Sequence, residues 1–356
     1  MNYINSITEA IGHTPLLKLN KIKASSGANV FVKLEHLNPS GSYKDRMALS
    51  MIEGAEKGDT WNGRKLGEGW TVVEASAGNT APAVAMVCAA RGYKAKFVLY
   101  RYQINAKADA RMIITSAYGP DVVVSSPPDT YLTAEQVEGF TAREPDMPHV
   151  MAAKMDCALM EASDSHCVWV DQIYNKYNYI GQKNMAKEIY EQLDGKIDAI
   201  GCSVGAGGSL FGLCLGLEEL GIHPITFGAV PNGSECYIEA PKEENTRDEY
   251  KVSSVRFEIA KAMGLDKWVE QKSIIHQMVE SGYPDIFFRV SNEDAKKMAD
   301  RLCQEEGIYC GMSSGANVAV ALRIAERMKP GQNVVTTIVD RRDRYITEVG
   351  HEKYVV

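Results

Sequence analysis

The chain has 356 residues, 45% hydrophobic and 24% charged, which is long enough for about two cores and excludes a fibrous, collagen-like or disordered chain. Its net charge of -7 leaves no concentrated Lys/Arg surface for a phosphate backbone, so no nucleic-acid partner is expected and a small-molecule substrate fits better. Eight cysteines scattered through apolar segments form no CxxC pair and no dense framework, which suits free thiols in a reducing compartment, with the cytoplasm as the default location.

The stretch MNYINSITEAIGHTPL has neither a basic nor an apolar leader region and is not expected to be a secretory signal. The first chemical motif follows at Asn38-Pro39-Ser40-Gly41-Ser42-Tyr43-Lys44-Asp45-Arg46, a turn feeding a helix predicted over Lys44–Lys57. Ser42 with Asp45 resembles a capping box, and a lone lysine there is ordinarily solvated. A lysine held in a sheltered turn can instead lose its proton and attack an aldehyde. A strand predicted at Thr71 to Val73 leads into Glu74-Ala75-Ser76-Ala77-Gly78-Asn79-Thr80 and a helix over Thr80–Arg91 closed by Gly92. Backbone N–H groups at such a helix start form an anion site suited to an amino acid's carboxylate, with Asn79 and Thr80 adding polar side chains; alone, Asn79 reads as a helix cap.

Further strands are predicted at Lys96–Tyr100, Asp121–Val124, Cys167–Val170, Ile197–Cys202, Ile225–Val230 and Val334–Val339, with helices at Asn105–Tyr118, Ser209–Leu220, Asn292–Glu306 and Ser314–Met328. Alternating strands and helices predict an α/β, doubly wound architecture with largely parallel pairing. Ser291 followed by Asp294 marks one helix start, and Gly307 marks its end. Ala199 to Leu217 carries no charge, but its six glycines divide it into a strand, a loop and a helix start, so it reads as buried core and no membrane span is expected. Pro231 to Ser254 is polar and charge-rich and is expected to be a surface excursion.

The loop Val204-Gly205-Ala206-Gly207-Gly208-Ser209-Leu210-Phe211-Gly212 lets the backbone approach a phosphate closely. Leu210 stands where a dinucleotide fingerprint needs its third glycine, and no Gly-Lys-Ser/Thr follows, so a monophosphate site or a tight core turn remains. Gly311-Met312-Ser313-Ser314-Gly315-Ala316-Asn317 offers hydroxyls that either cap the next helix or face a heteroaromatic nitrogen. A zinc site at His166-Cys167 with Cys157 is disfavoured because neighbours on a strand face opposite ways, and no metal is expected.

Taken in order, from Ile11-Gly12-His13-Thr14-Pro15-Leu16 to Arg344-Tyr345, these motifs resemble the cysteine synthase and cystathionine β-synthase family, the fold-type II pyridoxal-phosphate enzymes. The resemblance implies a two-lobed, tryptophan synthase β-like fold in which each lobe is a mostly parallel twisted sheet flanked by helices. It implies a smaller lobe of residues 48–165 and a larger cofactor lobe of 1–47 plus 166–356. Pyridoxal 5'-phosphate would be held by Lys44 as the catalytic Schiff-base lysine, by Asn79 at its 3'-oxygen, by Gly205, Ala206, Gly207, Gly208 and Ser209 around its phosphate, and by Ser313 at its pyridine nitrogen. Ser76, Ala77, Gly78, Asn79 and Thr80 would bind the substrate carboxylate. Gln172, in Val170-Asp171-Gln172-Ile173-Tyr174-Asn175, would lie beside the substrate.

The implied reaction is β-elimination or β-replacement on a β-substituted L-amino acid through an aminoacrylate, of the cysteine synthase kind, with O-acetylserine or a related donor plus sulfide or a thiol. A homodimer is implied. A neutral hydroxyl at Ser313 supports a protonated ring less than a carboxylate would, which favours elimination over transamination. Three departures leave substrate choice open: Ala77 where cysteine synthases usually carry serine, the polar stretch at Pro231 to Ser254, and Val339-Asp340-Arg341-Arg342 where smaller Pro/Ser residues are common. The alternatives are a lyase, whether a sulfide-releasing cysteine lyase or a serine/threonine ammonia-lyase, and a non-catalytic cofactor-binding regulatory homologue. No haem-binding extension or C-terminal regulatory module like that of animal cystathionine β-synthase is expected.

Overall fold

The computed structural model describes residues 3–76, 78–100, 110–143, 146–231, 238–239, 242–252, 267 and 270–345. Thirteen strands lie among them: β1 (Leu16–Lys18), β2 (Asn29–Leu34), β3 (Thr71–Ala75), β4 (Lys94–Leu99), β5 (Asp121–Val124), β6 (Cys167–Trp169), β7 (Ala199–Ser203), β8 (Ile225–Pro231), β9 (Ile238–Glu239), β10 (Glu244–Thr246), β11 (Lys251–Val252), β12 (Ile286–Val290) and β13 (Asn333–Ile338). The helices are α1 (Lys44–Lys57), α2 (Thr80–Arg91), α3 (Ala110–Ser116), α4 (Ala134–Arg143), α5 (Met147–Ser163), α6 (Tyr177–Gln192), α7 (Gly208–Glu219), α8 (Ile274–Glu280), α9 (Asn292–Glu306) and α10 (Met312–Ala325).

Two sheets organise the chain. The smaller runs β5-β4-β3-β6 and is parallel throughout. The larger runs β1-β2-β13-β7-β8-β12-β10, parallel inside with β1 and β10 antiparallel at its edges. Val72, Val73, Phe97 and Val98 in one sheet and Ile200, Phe227, Val334 and Val335 in the other are fully buried, as strands covered on both faces by helices must be. Each predicted strand is present and pairs in parallel. The strand β6 follows residue 165 yet pairs with β3, so the smaller sheet reaches past the 48–165 span and takes in Cys167–Trp169.

The strands that the sequence hid are those interrupted by charge. In β2, Lys33 is completely buried, and its ammonium is satisfied by the Thr14 carbonyl at 2.5 Å and Glu188 at 2.7 Å. In the Pro231 to Ser254 stretch most of the described residues are exposed, as a surface excursion should be, but it is anchored: β10 pairs with β12 at the edge of the larger sheet, β9 and β11 pair with each other, Asn245 is buried, and the buried Tyr250 donates its hydroxyl to the Pro284 carbonyl at 2.7 Å.

The helix α10 carries the Ser313 turn at its start and is pressed against α9 through Gly315, where a Cβ would collide with the Ala295 carbonyl oxygen. Gly315→Ala is therefore expected to cost about 1–3 kcal/mol through overpacking. Urea unfolding should show a lower midpoint with an unchanged slope; an unchanged midpoint would mean that α9 and α10 have room to part.

Candidate active site

In open α/β sheets, ligands sit outside the carboxyl ends of the strands. Four such ends converge here. The segment Ser76–Asn79 follows β3, Asp171–Asn175 follows β6, Gly205–Gly207 follows β7, and Val339–Asp340 follows β13, while the starts of α1 and α10 close the ring.

The Lys44 turn hangs on β13. The Tyr43 N–H donates to the Val339 carbonyl at 3.0 Å, Ser42 forms an isolated antiparallel bridge with Asp340, and the Gln182 amide donates to the Tyr43 carbonyl at 3.2 Å. Asp45 does not form the expected capping box. It turns back to accept from the Ser40 N–H at 2.6 Å and from the Ser40 hydroxyl, which fixes the turn rather than the helix start. Lys44 is half-buried, with its ammonium 4.7 Å from the Tyr43 ring centroid. Burial pushes the Cys202 thiol in β7 up to about 12, partly offset by the charge of Lys44.

Asn79 does not cap α2. Its amide nitrogen donates to Asp340 Oδ2, and its Oδ1 accepts from the Arg344 guanidinium at 2.8 Å. Ser76 is buried and its hydroxyl oxygen accepts from the Gly78 N–H at 3.2 Å; Ala77 lies outside the described residues. Thr80 donates its hydroxyl to Gln172 Oε1 at 2.6 Å. The Gln172 carbonyl in turn accepts from Asn178 at 2.6 Å, and Asn178 packs where a side chain on Gly208 would stand. The substrate-side loop, Gln172 and the glycine loop are thus one connected wall.

Gly207, with φ of +89°, supplies the left-handed residue that lets the chain turn from Gly205 into α7, and no side chain caps that helix. A Cβ on Gly205 would meet nothing within 4 Å, so one side of this loop is open to an incoming group. The first turn of α7, with Ser209 in it, has no side-chain cap, and uncapped N–H groups of this kind are suited to an anion. At the start of α10, the Ser314 hydroxyl oxygen accepts from the Val339 N–H at 2.9 Å. The Ser313 hydroxyl is half-buried and has no partner among the described residues. Neither serine caps α10.

Sequence reasoning missed a buried charge set beneath this wall. Lys154 and Asp171 pair at 2.9 Å, and the fully buried Glu74 accepts from the Gln172 N–H at 3.3 Å. Asp171 adopts φ of +40°, an uncommon conformation that turns the chain toward Gln172. Glu74 stands within the loop motif itself, but nothing in a one-dimensional pattern shows that a second carboxylate will be packed beside it. Among the described residues, no three His, Cys, Asp or Glu side chains gather as metal ligands, and no helix is long and apolar enough to cross a membrane.

The chain is similar to known proteins along nearly its whole length. Residues 7–340 match the family model described as pyridoxal-phosphate dependent enzyme. The chain is 31% identical to cysteine synthase 1 of Emericella nidulans, covering 96% of this chain and 84% of that protein. It is 29% identical to cystathionine beta-synthase of Dictyostelium discoideum, covering 99% of this chain and 63% of that protein. A solved hydrogen sulfide-producing enzyme from Fusobacterium nucleatum superposes with a TM-score of 0.73 at 26% identity, covering 97% of this chain and 99% of that one.

Burial, reinforced by the neighbouring Asp171, pushes the Glu74 carboxyl from its ordinary 4.5 to about 8. The folded chain therefore keeps a proton there that the unfolded chain has released. This contribution is fully present below about pH 4.5 and is lost as pH rises through about 8, at up to ~1.4 kcal/mol per pH unit. Glu74→Gln, neutral throughout, is expected to melt higher than the parent at about pH 9 and to match it near pH 4.5. Melting curves across this range check it, and a pH-independent difference would mean that Glu74 is ionised in the folded chain.

Proposed function

The chain belongs to the pyridoxal-phosphate-dependent enzymes of the cysteine synthase and cystathionine β-synthase family, and from that premise we propose that it catalyses β-replacement on an O-acetylserine-type L-amino acid, with sulfide or a thiol as the incoming nucleophile. We take it to act as a cytoplasmic homodimer. The observation that carries the reading is the connected wall in which the Lys44 turn, the Asn79 loop, Gln172 and the glycine loop are hydrogen-bonded or packed to one another through Asp340, Thr80 and Asn178.

The residues fit the cofactor. Pyridoxal phosphate brings an aldehyde, a phosphate, a phenolic 3'-oxygen and a ring nitrogen, and each has a counterpart of matching chemistry. Lys44 would take the aldehyde. The loop Gly205 to Ser209, open beside Gly205 and uncapped at α7, would take the phosphate. Asn79 would face the 3'-oxygen, and the unpaired Ser313 hydroxyl the ring nitrogen. The buried Asp340 Oδ1, which has no partner among the described residues, also fits a wall that awaits a polar group.

When bound, pyridoxal phosphate supplies the electron sink that makes the amino acid's Cα proton acidic. The protein's residues do the rest. The Lys44 amine, at the start of α1, removes the Cα proton as general base. The loop from Ser76 to Thr80 would hold the substrate carboxylate, and the Thr80–Gln172 pair fixes the edge of that site. Gln172 is itself held from behind by Glu74 and Asn178, so its position is set before substrate arrives.

O-acetylserine, O-phosphoserine, serine, cysteine and threonine, each assayed with and without sulfide, test the proposal. Cysteine should form from O-acetylserine only when sulfide is present, and Lys44→Ala should lower that rate by about 10²–10⁴-fold. Sulfide released from cysteine alone, or a keto acid formed from serine or threonine without a nucleophile, would assign a lyase instead. Cofactor binding without turnover of any substrate would leave a binding homologue.

A further inference from the structure

We infer that Asp340 is a positioning residue which, with Arg344, locks the Asn79 side-chain amide in the one orientation that presents its remaining N–H to the cofactor. The inference rests on the reading that Asn79 faces the cofactor's 3'-oxygen.

A primary amide carries two N–H donors and one acceptor oxygen, and it can be turned over about its last torsion with little change of shape. The surroundings of Asn79 permit only one setting. Its nitrogen lies against Asp340 Oδ2, which also accepts from the Tyr345 hydroxyl, and its oxygen lies against the Arg344 guanidinium, which only donates. Turning the amide over would set donor against donor and acceptor against acceptor. One N–H is thereby spent on Asp340 and the other is left directed by default.

The clamp is itself held. Asp340 Oδ2 also accepts from the Tyr345 hydroxyl at 2.5 Å, and Arg344 donates to the Ser40 carbonyl in the Lys44 turn. Asp340, Arg344 and Tyr345 are all buried. Gly311 has no side chain because Asp340 Oδ1 and the Tyr345 ring occupy the place where a Cβ would stand. The same backbone position forms the bridge to Ser42 and accepts from the Gly311 N–H at 3.2 Å, so the carboxylate has no freedom to follow Asn79 if Asn79 moves. Lys44 and Asn79 are therefore set relative to one another by a single residue.

The test is a double-mutant cycle on cofactor binding, with Asp340→Ala and Asn79→Ala alone and together. Holoenzyme stripped of cofactor is titrated with pyridoxal phosphate, and the visible absorption of the bound cofactor is recorded for each variant. Asp340→Ala is expected to weaken binding roughly 5- to 30-fold and to change the visible band in the same direction as Asn79→Ala. In the Asn79→Ala background, Asp340→Ala should add no further weakening. A loss that persists undiminished in that background would make Asp340 a structural residue and overturn the inference. If Asn79→Ala alone leaves affinity and spectrum unchanged, the reading of Asn79 fails instead. Should Asp340→Ala not fold, Asp340→Asn carries the cycle: its neutral acceptor is expected to weaken binding a few-fold, roughly half the effect in free energy, and only when Asn79 is present. No weakening by the asparagine variant would overturn the proposal.

Discussion

A strand that ends inside a protein must hand its last backbone groups to partners, because a buried N–H or carbonyl left unpaired costs as much as a lost hydrogen bond. At the end of β13 those partners are the working parts of the molecule. The Val339 N–H goes to Ser314 at the start of α10, the Val339 carbonyl takes the N–H of Tyr43 beside Lys44, and the Asp340 carbonyl takes the N–H of Gly311. The Asp340 side chain then reaches the loop after β3 through Asn79. Two adjacent residues therefore tie the lysine turn, the serine turn and the substrate-side loop, and the two sheets meet at that point.

Polar groups rather than apolar packing do most of this holding. Beneath the Lys44 turn, Arg46 pairs with Glu35 at 2.7 Å and with Glu188 at 2.7 Å, and Lys33 completes the set on Glu188. Burial alone would push the Glu35 carboxyl up, but the charge and hydrogen bonds of Arg46 hold it below its ordinary value. Asn38, which opens the turn, donates to Glu35 at 2.9 Å and accepts from the Gly12 N–H at 2.8 Å. Networks of this kind are costly if any member is missing and rigid when complete, which suits a turn that must hold one amine in place.

Much of the architecture was legible because parallel strands buried on both faces leave short runs of β-branched and apolar residues, as at Thr71–Val73 and Val334–Ile338. Glycine and helix-start patterns likewise located the loops after β3 and β7. What stayed hidden has a common cause. Lys33 breaks the apolar pattern of β2 although its charge is neutralised from Glu188, distant in sequence. Asp45 looks like a helix cap but serves Ser40. Asn79 has the residue type of a cap, yet its partners Asp340 and Arg344 lie more than two hundred residues away. Nothing in the sequence shows that Glu74, Lys154 and Asp171 are buried together by the fold. Local pattern reports local structure, whereas apart from Asp45 these side chains are assigned by partners distant in sequence.

If Lys44, and no other lysine, holds the cofactor, reducing the holoenzyme with borohydride fixes pyridoxal phosphate to it, and peptide mass mapping locates the adduct. The label is expected on the peptide containing Lys44, at the turn held by Val339 and Asp340. A label on the buried Lys154, or on any lysine outside that turn, would contradict it.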